Sequence, residues 1–210
     1  MLLGNTKDES GANYGTTTTV SAFASYLNET YGSFGPEFLA AYPASNDTQA
    51  AMQTNLLARD MSLVGSWNFA NMWAQSSVQP IYTYYWDHMP ANNSEGTGAK
   101  HMSEINYIFN NLYGTDLPWE PIDYAIAATV NAYWANFIKT QDPNQGASYK
   151  GPGELAYWAP SNSSSATTFH LSPAAPENLY GLPVGYEQVP VATEDHITLL
   201  NTFLDTQVSL

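Results

Sequence analysis

The chain has 210 residues, 44% hydrophobic and 14% aromatic, long enough to bury a core and too apolar for a disordered segment. Five Lys and Arg face 19 Asp and Glu, a net charge of −14 with the cations dispersed, which argues against nucleic acid and anionic membrane surfaces as partners. The absence of cysteine excludes thiol nucleophiles, disulfides and cysteine-built zinc sites, and no apolar run is long enough to span a membrane.

Residues 1–4 (MLLG) read as the end of a buried strand entered midway, and residues 5–15 as the loop leaving it. No signal peptide precedes them, so the chain is expected to be the C-terminal part of something longer. From 16 to 46 short helical pieces are expected, with Val20, Phe23, Ala24 and Leu27 on one face and PEFLAAY (36–42) as a further turn or two. Residues 47–75 form the longest helical region, with Met52, Leu56, Leu63, Trp67, Ala70 and Trp73 near helical spacing and a break expected at Gly65-Ser66. VQPIYTYYW (78–86) is the clearest strand; polar residues line neither face, so it is expected inside a sheet covered on both sides, as in α/β proteins.

Residues 91–98 (ANNSEGTG) are turn chemistry. Beyond them an amphipathic helix is marked by Ile122, Ile126, Val130, Tyr133, Trp134 and Phe137, stopped by Asp142-Pro143-Asn144. The Gly/Pro/Ser-rich stretch 144–190 holds strand candidates at LAYW (155–158) and TTFHL (167–171). A last helix, capped from Thr193, carries Ile197, Leu200, Phe203 and Leu204. Neither repeats nor a linker divide the chain, so residues 1–210 are read as one partial domain. Four triplets, starting at Asn28, Asn46, Asn92 and Asn162, fit the N-glycosylation acceptor pattern and, with the acidic composition, suggest a secreted glycoprotein.

Two residues carry the chemistry. Glu9 sits in the loop after the first strand and His101 in the loop after the next strong one, where a mobile loop meets an element that packs. A carboxylate and an imidazole at the carboxyl ends of neighbouring strands suit the acid and base of a nucleophilic triad. Where such triads run in the order Ser, acid, His, the serine precedes residue 9. The 210 residues contain no Gly-x-Ser-x-Gly: Ser33 has Gly35 after it but Tyr31 before, and Ser148 has Gly146 before it but Lys150 after. Other histidines are weaker candidates. His88 is expected to be structural, His170 to lie on an edge strand, and His196 to sit in the first turn of the last helix, where a cation gains nothing from that helix's dipole. His101 and Glu104, three apart, have no third metal ligand at usable spacing, and neither metal nor cofactor is implied.

Four pieces in order, LLGNTKDESG, IYTYYWDHMP, GAKHMSEINYIF and YWANFIKTQDPN, resemble the C-terminal part of fungal-type type-B carboxylesterases and lipases, the cholinesterase-like α/β-hydrolases. The resemblance runs from residue 1 to about 160 and weakens beyond; the family's C-terminal disulfide has no counterpart. It implies a mixed, mostly parallel sheet flanked by helices and lacking its N-terminal part with the nucleophile elbow. It also implies Glu9 as acid, with Asp8 the rival, His101 as base, and Glu104 as a buried carboxylate supporting the acid. The expected activity is hydrolysis of an ester or lipid substrate by the complete protein, the lone chain being inactive. Alternatives are a non-catalytic fragment or binding module of this fold, or a secreted glycoside hydrolase using Glu9 and Glu104. A sheet so cut is expected to expose apolar surface at residues 1–4 and 78–86.

Overall fold

The computed structural model describes residues 1–9, 17–89, 98–150, 154–172 and 185–207. Among these residues the sheet has four strands, in the order β1 (Leu2–Thr6), β2 (Tyr82–Trp86), β3 (Thr167–His170) and β4 (Gln188–Pro190). β1, β2 and β3 run parallel and β4 antiparallel to β3, a mixed, mostly parallel sheet. Leu2 pairs with Tyr82 and Thr6 with Trp86. All five residues of β2 are buried, because neighbours flank it and helices cover both faces. The exposure expected at 78–86 is therefore absent from the strand itself, while four of the five residues of β1, at the sheet's edge, are half-buried.

Alternation along β2 divides its side chains between two cores. Tyr82, Tyr84 and Trp86 join Ile126, Val130 and Tyr133 of α5 (Pro121–Thr140), together with Trp158 and Phe169. Tyr85 turns the other way, to α1 (Val20–Tyr31), α2 (Gly35–Ala41), α3 (Asp47–Ser76) and α6 (Glu194–Gln207). A single turn, α4 (Ile105–Ile108), packs on α5. Caps fix where these helices begin: Thr19 Oγ1 accepts from Ala22 N and Asn46 Oδ1 from Gln49 N, each worth about 1 kcal/mol. Glu120 and Asp123 form a capping box on α5, which ends at Gln141 in the left-handed conformation (φ 65°).

Several expectations need correction. α3 runs unbroken through Gly65; a helical glycine costs about 1 kcal/mol relative to alanine, too little to break a helix held by buried Leu57, Leu63, Val64 and Ala70. Met52 is 38% exposed, because the inward stripe follows Ala50, Leu57 and Val64 instead. LAYW is not a strand: Trp158 is fully buried, donating from Nε1 to Thr83 O at 3.0 Å, but its backbone joins no ladder. β3 lies between β2 and β4, so His170 is on an interior strand and only 4% exposed. The resemblance's mixed, mostly parallel α/β sheet is present, and β4, too short to announce itself in the sequence, forms one of its edges.

Candidate active site

The site lies beyond the carboxyl end of β1. The ladder with β2 continues one step, Lys7 N donating to Trp86 O at 2.7 Å, and then the neighbouring chain leaves. It returns at Ala99, whose carbonyl accepts from Asp8 N (3.0 Å) and whose N–H donates to Asp8 Oδ2 (2.8 Å). Two residues on stands His101. Glu9 Oε1 accepts from Thr6 N at 2.7 Å, and with that oxygen held to the backbone, Oε2 meets His101 Nδ1 at 2.5 Å across 92 positions of sequence. Nε2 has no partner among the described residues, and the His101 side chain is 67% exposed. The hydrogen bond that His101 donates to Glu9, and the charge of that carboxylate, raise the pKa of His101, with a smaller push from the charge of Glu104. Such an arrangement favours the Nδ1–H tautomer and leaves Nε2 able to take a proton.

The residues after His101 make a tight turn. Met102 has φ 68°, a conformation that costs a non-glycine residue about 1–2 kcal/mol. Ser103 Oγ accepts from Trp86 Nε1 at 3.0 Å, and Glu104 Oε1 from Tyr84 Oη at 3.2 Å, so two β2 aromatics hold the turn. Glu104 does not hydrogen-bond Glu9. Its Oε2 is buried without a partner among the described residues, and burial raises its pKa, so it acts on Glu9 and His101 only through charge. Asp8, the rival for the acid, is engaged elsewhere: its Oδ1 pairs with Arg59 Nη2 at 3.0 Å, with both residues buried.

The other three histidines each meet a carboxylate. His88 Nε2 lies 2.7 Å from Asp123 Oδ1, which also accepts from Tyr107 Oη. His170 Nε2 lies 2.8 Å from Asp87 Oδ1, and its Nδ1 2.8 Å from Gly185 O. Burial opposes charge on His170, but Asp87 and the carbonyl outweigh it and raise the pKa. His196 reaches away from its own helix. Its Nδ1 lies 2.7 Å from Asp60 Oδ2 and its Nε2 3.1 Å from Ala41 O, a carbonyl at the C-terminus of α2 where positive charge is favoured. Sequence reasoning judged His196 by its own helix and missed this; no local pattern points to α2 or α3.

Among the described residues no three His, Asp or Glu side chains converge as metal ligands, and no helix is long and apolar enough to cross a membrane. Asn28, Asn46 and Asn162 are exposed: Asn28 donates to Ala24 O, Asn46 caps α3, and Asn162 Oδ1 accepts from Ser164 N. Asn92 lies outside the described residues, as does Ser10.

Residues 5–181 match the carboxylesterase family, reaching past the residue-160 limit of the resemblance. Human bile salt-activated lipase is 37% identical over 80 residues, 38% of this chain and 9% of that protein. The mouse bile salt-activated lipase is 33% identical over 78 residues, 36% of this chain and 13% of that protein. Cocaine esterase of Oryctolagus cuniculus is 30% identical over 89 residues, 40% of this chain and 15% of that protein. The chain thus matches only 9 to 15% of the length of these relatives. With 177 residues of family match (181 − 5 + 1) on a mostly parallel sheet flanked by helices, the chain belongs to the carboxylesterase family, a family of ester hydrolases.

Proposed function

We propose that this chain supplies the acid, Glu9, and the base, His101, of a serine carboxylic-ester hydrolase. The observation that carries the reading is the contact between Glu9 Oε2 and His101 Nδ1, on an imidazole that is 67% exposed and whose Nε2 has no partner among the described residues. In that role Glu9 fixes the tautomer and stabilises the imidazolium. Nε2 takes the proton of an attacking serine as its oxygen adds to the ester carbonyl, then returns it to the departing alkoxide; water repeats the sequence on the acyl-enzyme. A Gly-x-Ser-x-Gly elbow is absent from the 210 residues, so the serine belongs to a segment preceding Glu9 in the family's order. Among the described residues no strand pairs with the outer edge of β1, which suits such a segment joining the sheet there. In this reading residues 1–210 are one part of a single α/β-hydrolase domain of the fungal type, whose ester or lipid substrate is bound by the complete protein. Secretion, with sugars on the exposed Asn28, Asn46 and Asn162, belongs to the same reading. A glycosidase gains nothing from the site, since both oxygens of Glu9 are engaged and Glu104 is tied to Tyr84.

Hydrolysis of a short-chain aryl ester tests it. The 210-residue chain alone is expected to show no turnover above background. A protein extended at its N-terminus with a serine-elbow segment is expected to turn over, and Glu9→Ala or His101→Ala in it to abolish most activity, by about 10³-fold or more. An extended protein indifferent to both substitutions refutes the assignment and leaves the non-catalytic module.

A further inference from the structure

The chain passes from Trp86 to Ala99 through 12 intervening residues (99 − 86 − 1), yet His101 comes back opposite Glu9. What catches it is Asp8. Ala99 is fully buried, and its N–H would lack an acceptor there without Asp8 Oδ2. Asp8 N in turn donates to the Ala99 carbonyl, and residues 8 and 100 bridge in parallel. The other carboxylate oxygen is held by Arg59 of α3, whose Nε also donates to Lys7 O at 3.3 Å. We propose that Asp8 and Arg59 are positioning residues: this buried pair sets where His101 stands relative to Glu9. Both halves of the contact hang from Asp8, Glu9 through one peptide bond and His101 through the clasp on Ala99.

Energetics favour a geometric role over a stabilising one. Burying a carboxylate and a guanidinium costs desolvation that their attraction only partly returns, and apolar replacements of such pairs are often as stable. The arginine fork offers what they cannot, two directed donors from a rigid helix that fix adjacent residues of the strand end. The catalytic meaning of this inference rests on the esterase reading; the positioning itself does not.

The test therefore uses no substrate. The imidazole signals of the uniformly labelled 210-residue chain are titrated by NMR, with Glu9→Gln marking the His101 midpoint when the charge of the Glu9 carboxylate is lost. In the double variant Asp8→Leu/Arg59→Met, a folded chain is expected whose His101 midpoint falls most of the way to the Glu9→Gln value. Arg59→Met alone separates position from charge. Removing a cation by itself raises a histidine midpoint, whereas loosening the Glu9 contact lowers it, and a fall is expected. Arg59→Lys keeps the charge without the fork and guards against misfolding of the others; a smaller fall is expected. A His101 midpoint unchanged in Arg59→Lys and in the folded double variant, or raised in Arg59→Met, overturns the proposal. Loss of the esterase reading in the activity test leaves these titrations unaffected.

Discussion

His196 offers a stability prediction whose sign can be worked through. Both ring nitrogens face acceptors, Asp60 Oδ2 and Ala41 O, and only the imidazolium can donate to both. The charged groups facing it are Asp60 from α3 and Asp195 from α6, with the Tyr42 hydroxyl donating to the same Asp60 oxygen and its ring stacked on the imidazole at 4.2 Å. The hydrogen bond to Asp60 leads in raising the pKa, burial opposes it, and the charge of Asp60 and the Ala41 carbonyl add to the rise. A folded value above the unfolded one of about 6.5 gives stability that is complete below pH ~6.5 and lost as pH climbs through the folded value. His196→Phe keeps the stack on Tyr42 and removes both donors. At pH 6 it is expected to cost about 1.5–3 kcal/mol for the charge-assisted bond to Asp60 and about 1 kcal/mol more for the carbonyl. At pH 9.5, well above the ordinary imidazole value, fewer rings are protonated and a neutral ring keeps one bond, so the wild-type advantage should shrink, by up to roughly 1–3 kcal/mol. Urea unfolding followed by tryptophan fluorescence at the two pH values measures this as the gap between midpoints. Because His170 titrates in the same direction in both proteins, the gap isolates His196. A gap constant with pH, or wider at pH 9.5, would refute the imidazolium reasoning.

Three further expectations concern the core and the site turn. Trp158→Ala, which empties a ring stacked on Phe169 at 5.0 Å and removes the bond to Thr83 O, should cost about 3–5 kcal/mol by chemical denaturation. A loss under 1 kcal/mol would mean the aromatic cluster tolerates a void. Gly4→Ala places a methyl 2.3 Å from the Tyr84 ring that lies across from it in register, and should destabilise by about 1–3 kcal/mol; an unchanged melting temperature would show β1 free to shift. Met102→Gly relieves a left-handed backbone and should gain roughly 0.5–1 kcal/mol without moving the His101 titration, whereas a β-branched Met102→Val should lose stability.

What the sequence disclosed depended on how local the signal was. The run at 82–86 announced a strand covered on both faces because aromatic side chains fall on either side of it and no charged residue interrupts it. Glu9 and His101 stood out through their motifs and their place after strands, although nothing local says that they meet. His170 was assigned to an edge because the partner beyond it, Gln188–Pro190, is three residues long and ends in proline. LAYW carries strand-like side chains, but Trp158 is anchored by its ring to another strand's carbonyl and by its backbone N–H to Asn144 Oδ1. Asp8 was weighed only as a rival acid, since its partners Arg59 and Ala99 lie 51 and 91 positions away. Pairings of that range leave no periodicity in the chain.

The same distances bear on how the molecule acquires its shape. β1 finds β2 across 80 positions (82 − 2), and β2 finds β3 across 85 (169 − 84). Each pairing brings together segments that diffuse almost independently in the unfolded chain, and chains dominated by such remote contacts fold slowly, in milliseconds to seconds. The helices can flicker into existence within microseconds, long before any strand is paired. The meeting of residue 9 with residue 101 needs β1 on β2 and then the return of the chain at Ala99, so it is expected after that pairing. A histidine signal reporting that contact would therefore be expected to lag behind the growth of helical circular dichroism, a clock for strand pairing that helix formation does not start.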